Sequence, residues 1–403
     1  MAEGALSTYR VLELGEGVSA AYCTKLMADL GAEVVKIEPP GSGDASRAAG
    51  PFPGDIPHPE KSGLFLYLNT NKLSITLNLR SSRGQMILRE LAREADILVE
   101  NLSPSEADGY GLTYQALEPV NPKLIVTSIT PYGLTGPYRD YKGYPINTFH
   151  GGGAGYRVGE AQREPLTIPG SQTSYTAGIS AAGATMCALL ARNFSGLGQQ
   201  VDISEMEMEA CFFGSAVTTY SLTGDDTMRV RPRLGHRLGS LNTAVRCKDG
   251  YVHLIAMNEA WWSRLVEIMG NPEWARDPFF QEQANRDELA DELEALLEPW
   301  LMEHTKEELF ELGIANRIPV TPYYTTAELD QLPHLKEREF FVEIEHPVAG
   351  GLRYPGAPYK FSETPWAVRR PAPTLGQHNE EVYCNKLGYS PGQLSILRTI
   401  GVI

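Results

Sequence analysis

Apolar positions in the first half of the chain follow two alternating rhythms. Short β-prone runs lie at residues 9–14 (YRVLEL), 34–37, 74–79, 97–100, 124–129 and 200–203. Between several of them apolar residues recur at helical spacing, over 20–30, where Gly31 stops the pattern, and over 84–94. Strand–helix alternation of this kind predicts a largely parallel, doubly wound (Rossmann-like) α/β sheet. Residues 176–192 are different in kind. They are packed with Ala, Gly, Ser and Thr, which predicts a helix whose neighbours approach very closely.

The pattern changes after residue 220. Residues 222–237 are polar and rich in arginine (Arg229, Arg231, Arg233, Arg237), as suits a linker. Residues 245–257 predict a hairpin, because Asp249-Gly250 lies between two β-prone runs. Three helices are expected next, two of them opening on capping-box patterns, Asn285-x-x-Glu288 and Thr305-x-x-Glu308. This block predicts a smaller α+β domain at 221–329, inserted between 1–220 and a tail, 330–403, of short apolar runs punctuated by Pro and Gly.

Composition narrows the classes. The chain has 403 residues, 42% of them hydrophobic, enough for a large core and for two or three domains. No run of about 18 apolar residues argues for a membrane span. The N-terminus lacks a basic segment leading into an apolar stretch, so a cytoplasmic location is expected. Cys23, Cys187, Cys211, Cys247 and Cys384 are scattered singly, which predicts reduced thiols and no metal. A formal net charge of -15 opposes nucleic-acid binding. It leaves room for a phosphorylated ligand, since a few local cations suffice for a pocket.

Candidate chemistry begins at Gly15-x-Gly17-x-x-Ala20, where a strand passes into a helix; Glu38 ends the next strand 21 residues after Gly17. The arrangement imitates a dinucleotide fingerprint, in which glycines permit a tight turn and the helix N-terminus faces a phosphate. Any βαβ unit needs such a turn, however, and Ala replaces the last glycine. No G-x-S-x-G elbow, H-E-x-x-H, Walker A loop or EF-hand loop occurs. His150 precedes Gly151-Gly152-Gly153, either as part of a site or as a structural residue.

A more specific pattern runs through nearly the whole chain. Its blocks are Val11-Leu12-Glu13-Leu14, Leu30 to Glu38 (LGAEVVKIE), Pro40-Gly41-Ser42-Gly43-Asp44, Leu68-Asn69-x-x-Lys72 and Asp96 to Asn101 (DILVEN). They continue through Tyr132-Gly133-x-x-Gly136-Pro137-Tyr138, Gly196-x-Gly198-Gln199-x-Val201-Asp202-Ile203-Ser204, Lys248-Asp249-Gly250-Tyr251, Ala372-Pro373-x-Leu375-Gly376-Gln377-His378 and Leu387-Gly388-Tyr389. In content and order these blocks resemble the family III CoA-transferases (CaiB/BaiF family).

The resemblance implies an interlocked dimer, each chain with a large doubly wound domain built from both chain ends and a small domain between. It implies coenzyme A or an acyl-CoA as substrate, moved from a donor such as succinyl-CoA to a carboxylic acid, benzylsuccinate among the candidates. It implies no tightly bound cofactor. Members use one aspartate, in a segment resembling A-D-x-T-A-G, to attack the thioester and hold the acyl group as a mixed anhydride. Here the segment reads Thr173-Ser174-Tyr175-Thr176-Ala177-Gly178. Ser174 would give an ordinary ester that thiolate cannot reclaim, and no base accompanies it in the sequence. The bland reading makes Ser174 the N-cap of the following helix.

Other departures remove cations. Pro39 stands where members often carry Arg, Leu102-Ser103-Pro104-Ser105 replaces F-R-P-G, and Gly109 replaces a further Arg. Such losses weaken phosphate binding. The resemblance leaves Val18, Ser19, Lys72, Asn101, Leu102 and Lys142 as candidate CoA contacts. The family's racemases use a His-Asp pair; Tyr144 and Ser174 hold those positions here and cannot replace it. The expectation is therefore a chain without its own catalytic residue, completing a hetero-oligomer (possibly α2β2) with an aspartate-bearing sister chain. The alternatives are a stand-alone acyl-CoA lyase or isomerase, and a CoA-binding protein without activity.

Overall fold

Strands buried on both faces are rich in apolar residues, and apart from a few charged positions such as Glu13 and Lys36 the N-terminal runs follow this. They form β1 (Arg10–Leu14), β2 (Glu33–Glu38), β3 (Leu73–Thr76), β4 (Ile97–Glu100), β5 (Ile125–Thr130) and β6 (Gln200–Ser204). All pair in parallel, in the order β3-β2-β1-β4-β5-β6. The doubly wound sheet expected from the sequence is present. The computed structural model describes residues 4–159, 163–212, 214–226 and 241–403. Arg229, Arg231, Arg233 and Arg237 of the expected linker lie outside the described residues.

The chain divides into two units. The larger comprises Met1–Gly153, Ile168–Phe213 and Glu339–Ile403. Its helices are α1 (Ser19–Asp29), α2 (Gly63–Leu68), α3 (Ser82–Glu94), α4 (Pro104–Tyr110), α5 (Tyr114–Leu117), α6 (Pro145–Gly151), α7 (Gln172–Ser195) and α8 (Glu205–Phe212). Successive strand residues face opposite ways, so Val11 and Leu12 enter different cores. Leu12 packs with Leu98, with Ile87, Leu88 and Leu91 of α3, and with Tyr383, Leu394 and Leu397 from the C-terminal segment. Val11 packs with Val34, Val99 and Ile125 against Ala20 and Cys23 of α1 and Ala177 and Ala181 of α7.

α7 is long and apolar enough to cross a membrane by length and composition alone. Its small residues serve a different end. A Cβ on Gly178 would lie 2.8 Å from the Ser19 carbonyl oxygen of α1, so glycine sets the spacing of the two helices. Thr185 of the same helix shares a 2.7 Å hydrogen bond with Thr127 of β5.

The tail returns to the sheet. The Asn379 side chain brackets Thr76, accepting from its N–H and donating to its Oγ1, both at 2.8 Å. Tyr383 Oη donates to the Thr76 carbonyl at 2.7 Å. Both chain ends thus build the large unit. β3 stops at Thr76, short of the expected end, and Asn78 donates its N–H to the Val402 carbonyl.

The smaller unit comprises Ala154–Thr167 and Gly214–Arg338. The hairpin expected there is β7 (Asn242–Cys247) with β8 (Gly250–Ile255), extended by β9 (Val320–Pro322), all antiparallel. Trp262, Leu265, Leu293, Leu297 and Leu309 cover it. The Thr305–Glu308 capping box is formed. The Asn285 pattern is not a cap: its helix spans Gln283–Glu288, with Glu282 at the N-cap position. Asn285 lies inside it and donates to the Phe279 carbonyl instead.

Candidate active site

Beneath the first turn lies a fully buried ionic network. Lys36 of β2 contacts Glu13 of β1 at 2.7 Å and Asp44 at 2.6 Å, and Lys72 contacts the other Glu13 oxygen at 2.8 Å. Burial opposes ionisation of Glu13, yet the two ammonium groups overcome it and hold the carboxyl down at about 2. Lys72 is lowered as well, which for a lysine means a weaker hold on its proton. Burial, with Lys36 competing for the same carboxylate, lowers it to about 8.

Asp44 carries the network to the chain turn, accepting from the Gly17 N–H at 3.0 Å. Gly15 has φ +129° and Gly17 φ +76°, conformations open to glycine. A Cβ on Gly15 would fall 1.8 Å from Asn101 Oδ1. The Asn101 amide occupies that space as a clasp. It accepts from Glu16 N–H at 3.0 Å and donates to Glu16 O at 2.8 Å and Ser19 Oγ at 3.0 Å.

Above the turn a crevice of about 620 Å³ opens at the C-terminal ends of β1 to β4. Gly15, Glu16, Pro39, Asn78, Arg80, Leu102, Glu106 and Tyr110 are among its lining residues. Ligands bind at this end of parallel sheets, beside the strands where the order reverses. The structure brings Val18, Ser19, Asn101 and Leu102 together at the ends of β1 and β4. Lys142 is exposed on the segment after β5 and is not among the crevice residues.

Lys72 departs from the expectation. It has no exposed surface, and besides Glu13 its ammonium donates to Ala21 O at 2.8 Å and Asn69 Oδ1 at 3.0 Å. In this conformation it braces the fold and presents nothing to a ligand. Glu38 is likewise committed, to Arg47 at 2.7 and 2.9 Å, to the Ser74 hydroxyl and to the Asp44 N–H. Glu38 is thus not free to act as the ribose-binding carboxylate of a dinucleotide site.

The second locus is the start of α7. The N-cap position belongs to Ser171, so the reading of Ser174 as N-cap is corrected: it sits in the first turn, 8% exposed. Its hydroxyl hydrogen-bonds the carboxyl of Glu205, the first residue of α8. Thr148 of α6 donates to the same carboxyl at 3.4 Å. One turn later Glu209 accepts from Thr176 at 3.3 Å and from Thr173. Burial raises both carboxyls above their usual range, and for Glu205 the neighbouring Glu209 adds to it.

Sequence reasoning found no partner for Ser174, yet a carboxyl group stands beside it. The available signal was Ser204-Glu205-x-Glu207-x-Glu209, an acidic run starting where β6 ends. Carboxylates at i and i+4 share one helix face, here the face turned to α7. Tyr144, which the resemblance matched to the racemase histidine, is 65% exposed. His150 is also exposed, its ring edge-on to Phe149. Among the described residues no group of three or more His, Cys, Asp or Glu is placed to hold a metal.

The sequence pattern of CoA-transferase family III matches residues 6–379. The chain belongs to that family. This family III CoA-transferase chain is 33% identical to succinyl-CoA–D-citramalate CoA-transferase of Chloroflexus aurantiacus, over 99% of this chain and 98% of the relative. It is 33% identical to formyl-CoA:oxalate CoA-transferase of Streptomyces avermitilis, over 99% of each. It is 31% identical to the BbsE subunit of succinyl-CoA:(R)-benzylsuccinate CoA-transferase of Thauera aromatica, over 98% of each. Among solved structures, a CaiB/BaiF family protein from Brucella suis superposes with a TM-score of 0.85 at 27% identity, covering 95% of this chain and 99% of the other.

Proposed function

We propose that this chain is the aspartate-lacking subunit of a hetero-oligomeric family III CoA-transferase, interlocked with a sister chain that carries the nucleophile. What supports the reading is the serine, Ser174, in the segment Thr173-Ser174-Tyr175-Thr176-Ala177-Gly178, which the resemblance sets against the family's A-D-x-T-A-G. A carboxylate attacking an acyl-CoA yields an anhydride, from which thiolate can recover the acyl group. A serine yields an ester, which lacks that activation.

Glu205 does not make good the loss. It is buried, already accepts hydrogen bonds from Ser174 and Thr148, and has its carboxyl shifted toward the protonated form, which is the weaker nucleophile. The Thauera relative is by name a subunit, and two relatives use succinyl-CoA. Succinyl-CoA is therefore the donor to test first, with benzylsuccinate and other dicarboxylic acids as acceptors.

The test is reconstitution. CoA transfer from succinyl-CoA is measured for this chain alone, for an aspartate-bearing homologue from the same source alone, and for the two co-expressed. Transfer that requires the homologue is expected. Full-rate transfer by this chain alone overturns the proposal.

A further inference from the structure

The crevice at the sheet end carries opposite charges on its two flanks. Strand order puts β3 and β4 three strand spacings apart, about 14 Å at ~4.8 Å each. Glu106 of α4 and Glu16 of the glycine turn line the β4 and β1 side, while Arg80 follows β3 on the other. Glu38 is already neutralised by Arg47. Arg80 is the one Lys or Arg among the crevice residues.

Its backbone is fixed while its side chain is exposed. Arg80 N–H donates to Asn78 Oδ1 at 3.1 Å, and Asn78 is tied to the C-terminus through Val402 O at 2.8 Å and Gly401 O at 3.1 Å. Among the described residues no ion pair to its guanidinium is recorded. Pro39, also in the crevice wall, offers no charge, and neither does Gly109.

We infer that Arg80 holds a phosphate of the nucleotide end of the ligand, in CoA the 3′-phosphate, and so anchors it from the β3 flank of the crevice. The inference rests on the proposal above that this chain is a CoA-transferase subunit, and adds that its own crevice takes CoA. A phosphate is drawn to the Arg80 flank and repelled by Glu16 and Glu106, whose carboxylates suit hydroxyl or amino donors instead. An exposed guanidinium on a fixed backbone meets phosphate oxygens in its fork geometry.

The experiment measures equilibrium binding of CoA and of 3′-dephospho-CoA to the full chain, as wild type, Arg80→Ala and Arg80→Lys. Wild type is expected to prefer CoA by about tenfold, a difference of ~1.4 kcal/mol. Arg80→Ala should bring CoA down to the level of dephospho-CoA and leave dephospho-CoA within about twofold of wild type, a factor worth under ~0.5 kcal/mol. Arg80→Lys, which keeps a charge, should retain most of the preference. Equal affinity of wild type for both ligands, or a loss in Arg80→Ala that strikes both alike, overturns the role of Arg80 alone. Absence of binding to either ligand by wild type overturns the CoA reading and this inference with it.

Discussion

Ser174 and Glu205 form a pair whose consequences can be worked out from charge alone. If Ser174 holds the nucleophile position as proposed, replacing it by Asp supplies the family's nucleophile but sets it against a second carboxyl in a buried site, where two such groups share one proton. Ser174→Asp alone should therefore form little acyl-enzyme at neutral pH. Ser174→Asp with Glu205→Gln should form at least about tenfold more, since one like charge in such a site is worth ~1.4 kcal/mol or more; trapping with succinyl-CoA and peptide mass mapping checks this. Glu100 supplies a second residue-scale test. Its buried carboxyl accepts from Leu102 N–H at 2.8 Å and from Ser128 and is pushed up to about 7, by burial first and by Asp202 and Asp108 after it. The folded state then keeps a proton that the unfolded chain releases near its ordinary 4.5. Stability from this group is complete below pH 4.5 and lost as pH rises to 7. Glu100→Gln should flatten that decline and be more stable at pH 8 by up to about 3 kcal/mol, read from urea unfolding at several pH values.

The glycine turn and the Asn101 clasp act as one element. Gly15→Ala would drive a methyl group into the Asn101 amide and strain a backbone at φ +129°. The expected cost is about 1–3 kcal/mol of stability, with weaker CoA binding, measurable by thermal melting with and without CoA. Element by element, the sequence is uneven in what it discloses. Short, largely apolar runs mark most of the parallel strands, and the small residues of α7 mark a close helix contact that Gly178 and Ser19 make. Charged residues in the same blocks mislead. The resemblance makes Lys72 a ligand contact, yet Lys72 is buried against one oxygen of Glu13 while Lys36 pairs the other and Asp44, so that two lysines balance two carboxylates. Only the fold shows that pairing. The Glu205 carboxyl was equally hidden, since an acidic run at a helix start reads as a solvated, dipole-matched first turn.

At the scale of the whole molecule, the large unit carries the sheet and the glycine turn of a chain that belongs to CoA-transferase family III, and on the proposed reading Ser174 puts a hydroxyl where the covalent step needs a carboxylate. The assembly should supply what the chain lacks, so the chain should co-purify with an aspartate-bearing homologue in equal amounts, as native mass measurement reads directly. The most direct test is intact-protein mass spectrometry after each purified chain is incubated with succinyl-CoA and quenched. The account predicts an unchanged mass for this chain and a succinyl or CoA adduct on the sister under the same conditions. A covalent adduct on this chain, at Ser174, Glu205 or any other residue, formed in the absence of the sister, would contradict it.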